Sequence, residues 1–252
     1  MNFLDTYKEY LKLTENVNNH KINLSKLKFI DPMLILLISD YTKNDRYIPP
    51  TDPGVQKYVK IMTKSHPENE YDPKSFLPIT SIKDNDDTIE KFCTGVQKKF
   101  NIHNPNALNY IFGELTDNIL QHSQAKNNYI LAQYYKYDGL EICIYDDGIG
   151  IKKSYENAGE NIDNTGIEMA LKGLSTKEDN ERGEGISSVY RIVEANPKNQ
   201  FIIISNDELY HYLNGKPQIY QLPNKYKLNG TYFGILFKNK KDIDKINIYD
   251  YC

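Results

Sequence analysis

The sequence predicts an α/β sandwich of the α+β kind, in which helices back a mostly antiparallel sheet and a smaller α/β region comes first. Three observations carry this expectation. Leu140, Ile142 and Ile144 alternate with Glu141, Cys143 and Tyr145, the period of a strand with one buried face, and the strand runs into Asp146-Asp147-Gly148-Ile149-Gly150. Asp138-Gly139 joins this strand to the run Tyr129 to Tyr137, a hairpin signal. Asn104-Pro105, a cap with proline in the first turn, precedes Leu108, Ile111, Leu115 and Ile119 at helical spacing.

In chain order, Leu4, Tyr7 and Leu11 give a helix to about residue 16, and Lys21 to Leu24 a short strand. Asp31 can cap and Pro32 can start a helix through Met33, Leu34, Leu36, Leu37 and Tyr41. From Tyr47 to Ile82 the prolines Pro49, Pro50, Pro53, Pro67, Pro73 and Pro78 mark a connector with extended pieces, broken by one helix from Val55 to Lys64. Asp84 to Asp87 cap the next helix, Thr88 to Phe100. Residues 152 to 182 are polar, with a short helix at Ile167, Ala170 and Leu171. Ile186, Val189, Tyr190 and Val193 give a further helix, and Phe201 to Ser205, Gln218 to Leu222 and Thr231 to Phe237 complete the sheet. The tail from Lys238 is charged, then tyrosine-rich, and carries no assignable role.

At 252 residues the chain can bury a sizeable core, as one large domain or two modest ones. Its net charge of −3 gives no electrostatic footprint for nucleic acid. Cys93, Cys143 and Cys252 are odd in number and far apart, which suggests neither a disulfide framework nor a zinc site. No segment reaches the roughly 18 apolar residues of a membrane span, and the start lacks a basic region followed by an apolar core. A reducing cytoplasm, with no membrane partner, is the expected setting.

Glu114 and Asn118 stand at i and i+4 on the predicted helix, at the edge of its apolar stripe. A carboxylate and an amide so placed suit a water-activating base and a hard-cation ligand. Asp146, at a strand end, can accept from a ligand's amino group, while Gly148 and Gly150 let a ligand approach the main chain; alone, an Asp-Gly turn is simply a turn. Arg182-Gly183-Glu184-Gly185 opens a helix, and free amides at helix N-termini hold phosphates. Ser175-Thr176-Lys177 lies just before it and could reach phosphate, although Lys177 and Arg182 also read as solvated charges. His122 follows the Glu114/Asn118 pair by four residues inside the stripe, where a packed, hydrogen-bonded core histidine is the plainer reading than a catalytic one.

In this order the pieces resemble the N, G1 and G2 boxes of the GHKL ATP-binding superfamily, which includes gyrase-type topoisomerases, heat-shock chaperones, histidine kinases, mismatch-repair ATPases and anti-sigma-factor serine kinases. Glu114 to Ser123 is similar to the N box, Asp146 to Gly150 to G1, and Asn229-Gly230-Thr231 to the Gly-Thr that closes the adenine pocket. The likeness covers about residues 85 to 240. It implies a two-layer Bergerat fold, a mixed and mostly antiparallel sheet with helices on one face, over residues 83–240. Residues 1–82 then form an N-terminal region and connector, and 241–252 a tail. The strand and helix around Asp31-Pro32 resemble a STAS-type module without its acceptor serine, and read equally as an ordinary strand–helix unit.

The resemblance also implies roles. Asp146 would accept from the adenine amino group with Thr231 in support, and Gly148 and Gly150 would give base and ribose room. Asn118 would hold Mg²⁺, Gly183 and Gly185 would offer amides to the phosphates, and Glu114 would orient or deprotonate the attacking group. Residues 152 to 182 would form a lid. The expected function is therefore Mg-ATP binding, as an ATPase or an anti-sigma-type serine/threonine kinase acting on a protein partner or within a homodimer. The alternative is a non-catalytic ATP-dependent switch.

Overall fold

The computed structural model describes residues 2–63, 75–82, 87–162, 165–174 and 185–251. The N-terminal part runs α1 (Phe3–Glu15), β1 (Ile22–Asn23), α2 (Pro32–Leu37), α3 (Ser39–Lys43), β2 (Tyr47–Ile48) and α4 (Pro53–Thr63). The helix expected from Pro32 to Tyr41 breaks at Ile38, whose backbone leaves helical values (φ −94°, ψ 8°). Asp31 caps α2 by accepting from the Leu34 amide, with Pro32 in the first turn where no amide is needed. β1 and β2 form a small parallel pair.

The remainder runs β3 (Phe76–Ser81), α5 (Thr88–Phe100), α6 (Pro105–His122), β4 (Asn128–Tyr135), β5 (Gly139–Asp146), α7 (Ile151–Asn157), α8 (Gly166–Leu171), α9 (Gly185–Glu194), β6 (Gln200–Ser205), β7 (Glu208–Leu213), β8 (Lys216–Gln221), β9 (Thr231–Phe237) and α10 (Lys240–Asp244). The sheet order is β3-β4-β5-β9-β6-β7-β8, and every neighbouring pair is antiparallel. The α+β sandwich is present, and the only parallel pairing among the described strands is the separate β1/β2 pair.

Two features depart from the expected layout. β7 was not anticipated, and the extended stretch read as connector supplies β3, an edge strand with Pro78 where an edge tolerates a missing amide. The larger departure concerns the sheet's faces. Leu140, Ile142 and Ile144 of β5, with Phe233 and Ile235 of β9 and Phe201 and Ile203 of β6, pack against α5, α6 and α9 as expected. Helices were expected on one face only, yet Cys143, Ile202, Ile204, Leu209, Tyr232 and Leu236 are buried on the other beneath α1, α2 and α4. Helices therefore cover both faces, because Phe3, Met33, Leu34, Ile35, Val59 and Met62 form an apolar surface that only this face of the sheet can bury.

The seam under the N-terminal layer holds polar groups. Glu141 is fully buried on β5, with the Cys143 thiol 3.5 Å away and the Met33 amide donating to its carboxyl. Burial, with Asp31 nearby, pushes the Glu141 carboxyl well above the usual range. His211 of β7 is buried edge-on to Phe3, and desolvation pushes its imidazole down to about 4. A carboxyl whose folded pKa is raised contributes stability that is present at low pH and lost as pH rises through that pKa. His211 has the opposite sign, but above about pH 6.5 it is neutral both folded and unfolded and adds no slope. Calorimetric melting followed upward from the ordinary glutamate value, about pH 4.3, should show the Glu141→Gln midpoint losing less with rising pH than the wild-type midpoint; parallel curves would remove Glu141 as the cause.

The tail has a structural task. Asp244 of α10 accepts from the amides of His103 (2.7 Å) and Asn104 (3.2 Å) at the start of α6, and Asn104 Nδ2 donates to Ile246 O at 2.7 Å. These bonds fix where α6 begins, and so where its later residues stand. No described helix is long and apolar enough to cross a membrane.

Candidate functional site

Helix α6 carries the first group. Asn104 caps it by accepting from the Ala107 amide, and Leu108, Ile111, Leu115 and Ile119 bury its stripe against the sheet. Glu114 and Asn118 consequently fall half-buried at the stripe's edge, the place their spacing predicts. The Asn118 amide donates to the Glu114 backbone carbonyl at 2.6 Å, which holds its side chain against the helix with its oxygen available.

Gly185, the first residue of α9, lies directly against this pair. A Cβ built there would sit 3.0 Å from Asn118 Nδ2 and 3.0 Å from a Glu114 carboxylate oxygen. Glycine thus keeps open the space between a helix N-terminus, a carboxylate and a carboxamide. Thr176, Lys177 and Gly183, with Arg182 and Glu184, lie outside the described residues.

The second group forms at the far end of α6. The Ser123 carbonyl, at the helix C-terminus, accepts from the Ile149 amide at 2.7 Å, and a Cβ on Gly148 would lie 2.1 Å from that oxygen. Any residue with a side chain at 148 would push the turn off the helix. Gly150 has φ +84°, open to glycine and strained for other residues. Five residues at about 1.5 Å rise each separate Asn118 from Ser123, so the two groups are about 7.5 Å apart along one helix. His122 is half-buried at the end of α6.

Three strands bring their ends into line here. Asp146 of β5 pairs with Thr231 of β9, and Thr231 pairs with Ser205 of β6. Directly paired residues project on one face, so the three side chains form a row. The next row on that face is Ile144, Phe233 and Ile203, wholly apolar. Asp146, Thr231 and Ser205 are 1%, 4% and 1% exposed, so this is a polar edge bordering an apolar floor. Asp146 accepts from the Gly148 amide at 2.9 Å and from the Thr231 amide; burial outweighs both, and with Asp147 adjacent lifts its carboxyl to about 7. For Asp147 the balance is reversed. Partial burial raises it, but the amides of Asn127 and Lys126 and the Asn127 side chain together hold it below the usual range.

Comparison with protein-family models, curated proteins and solved structures finds no match. The site therefore rests on its own geometry.

That geometry joins Glu114, Asn118 and Gly185 in one group, and Asp146, Gly148, Gly150 and Thr231 in another. It also adds residues that the sequence reading missed. The β6–β7 turn supplies Asn206, whose Nδ2 donates to Ile149 O at 2.6 Å, and Glu208, whose carboxylate accepts the Gly166 and Ile167 amides at the start of α8 (3.1 and 3.0 Å). A signal for β7 was available, in the hairpin that joins it to β8. The alternating run Glu208 to Leu213 ends at Asn214-Gly215, a preferred two-residue turn, and both residues have positive φ (52° and 75°). The expected lid is partly helical: α7 follows Gly150 directly, with Tyr155 buried, and Thr165 and Glu168 form a capping box on α8.

Proposed function

We propose that this chain is a GHKL-type Mg-ATP-binding protein that hydrolyses ATP or passes its γ-phosphoryl group to a protein partner in regulation. The observation that carries the reading is the placement of Gly185 at the N-terminus of α9 against Glu114 and Asn118, in the C-terminal half of a helix whose C-terminal end holds the Asp146 turn. Four motifs far apart in sequence are expected to converge for this function, and the described parts of all four lie along α6 and the adjoining strand ends.

The residues suit the groups they would hold. Asn118 supplies a neutral oxygen of the kind a hard cation accepts, and the glycine at 185 leaves room that a side chain would fill. When bound, Mg²⁺ would neutralise phosphate charge. Gly185 would present its amide to phosphate at the start of a ten-residue helix. The apolar floor of Ile144, Phe233 and Ile203 suits a flat heterocycle, and Asp146 would accept a hydrogen bond from its amino group. Glu114 would orient or deprotonate the attacking oxygen, and Thr176, Lys177 and Gly183 would complete the phosphate contacts. The second reading, an ATP-dependent switch without turnover, keeps every one of these contacts except the last step at Glu114.

Incubating the protein with γ-labelled ATP and Mg²⁺, then separating free phosphate from phosphoprotein, divides the readings. Nucleotide binding with released or transferred label supports the enzyme, and binding with neither supports the switch. Calorimetry showing no affinity for ATP with Mg²⁺ would overturn both.

Asp146 adds a pH signature. Only its ionised form is a pure acceptor, and burial puts its carboxyl at about 7. ATP affinity should therefore rise with pH, by up to about tenfold per unit below that value, and level off above it. Asp146→Asn should bind more weakly by about 1–3 kcal/mol and lose this pH dependence. Calorimetric titration across about pH 6 to 8 checks both; a flat wild-type profile would separate Asp146 from the ligand.

A further inference from the structure

Ser205 lies far in sequence from every predicted motif, yet its hydroxyl stands within the site. It is 1% exposed, at the end of β6. Its Oγ accepts from the Ile151 amide at 2.8 Å and lies 3.2 Å from Thr231 Oγ1. A Cβ on Gly150 would meet the same oxygen at 3.0 Å, so the glycine turn and the serine are in contact. Ser205 therefore links two parts of the polar edge, the Asp146–Gly150 turn and the hydroxyl of Thr231.

A serine hydroxyl has one proton to give and two lone pairs. The Ile151 N–H occupies a lone pair and fixes the direction of approach on that side. We propose that Ser205 is a positioning residue that donates its proton to Thr231 Oγ1, leaving the Thr231 proton directed at the ligand and thereby setting the edge to select an aminopurine nucleotide. This rests on the nucleotide reading above and deepens it.

With that orientation the edge offers two complementary features side by side: an acceptor at Asp146 and a donor at Thr231. Adenine presents the matching pair, an amino donor beside a ring nitrogen acceptor. Hypoxanthine presents the reverse, a carbonyl acceptor beside a ring N–H, and meets Asp146 and Thr231 with like against like. Mispaired buried polar groups are a stronger source of selectivity than a lost favourable contact, because each stays desolvated without a partner. Without Ser205 the Thr231 hydroxyl is free to turn and accept instead, so inosine triphosphate gains a partner while ATP loses nothing it cannot replace. The same change leaves the Ile151 amide without its acceptor, which loosens the turn for every nucleotide alike.

The two effects separate experimentally. Mg²⁺-dependent affinities for ATP and inosine triphosphate, measured by calorimetry on the full chain, give a discrimination ratio that a general loosening of the site does not move. Ser205→Ala is expected to lower the ratio by about tenfold, whatever it does to the affinities themselves. Ser205→Thr keeps the hydroxyl and should restore the ratio. Ser205→Cys, nearly isosteric with a weak donor, should lower it with packing retained, and it carries the test if the alanine variant does not fold. A ratio unchanged in Ser205→Ala or Ser205→Cys, with wild type binding ATP, overturns this role for Ser205 and leaves the nucleotide site standing. Wild type binding neither nucleotide overturns the site and this role together.

Discussion

A chain shortened to begin at Ser75 is expected to lose cooperative folding. The removal takes away α1 to α4 and uncovers Leu131, Cys143, Ile202, Ile204, Leu209, Tyr232 and Leu236, each no more than 2% exposed in the full chain. At about 1.5–3 kcal/mol for each large apolar side chain returned to water, the loss is on the order of 10 kcal/mol or more. That is comparable to the whole stability of an ordinary domain, about 5–15 kcal/mol. Glu141 would lose its partner at Met33, and an apolar face of this extent promotes association. Sedimentation should find aggregates, and circular dichroism should find no sharp thermal transition. A soluble monomer with a cooperative melt would mean that the sheet stands without its second layer.

The second large effect is at Glu114. If the chain turns ATP over, Glu114→Ala should keep most of its nucleotide affinity while losing about 10²- to 10⁴-fold in rate, the usual contribution of a positioned base. Asn118→Ala should lose Mg²⁺-dependent binding together with rate, since a metal ligand acts on the ground state and the transition state alike. The two side chains share one helix face and both border Gly185, so a general disturbance of the site would affect them equally. The different outcomes are what distinguish a base from a ligand. Steady-state rates combined with calorimetry decide it, and turnover surviving Glu114→Ala at full rate would remove Glu114 from the chemistry. In a switch, wild type turns over negligibly and Glu114→Ala leaves nucleotide affinity almost untouched.

Much of the scaffold was legible because it is written locally. The Asn104-Pro105 cap with its apolar spacing placed α6, and with it the side-by-side position of Glu114 and Asn118. Alternation placed β5 and β9, and the glycines at 148 and 150 marked a turn where a side chain would strike Ser123 or Asn206. The same local logic failed where the signal was short or mixed. Ile151 and Tyr155 are too few to announce α7 within a polar stretch, and β7 was passed over although Asn214-Gly215 closes its hairpin.

Thus the sequence by itself determined the kinds of element, the α6 face carrying Glu114 and Asn118, and the glycine turn at the end of β5. Periodicity, caps and turn residues act within a few positions, and their energetics need no knowledge of the rest of the chain. Only the tertiary structure decided that the N-terminal helices cover the second face of the sheet, that Glu141 and His211 are buried there, and that Ser205 reaches Thr231 and Ile151. An alternating strand reads the same whether its polar side meets water or another layer. Ser205 meets Ile151 across 54 positions and Thr231 across 26, and no local pattern encodes contacts that exist only once strands have paired.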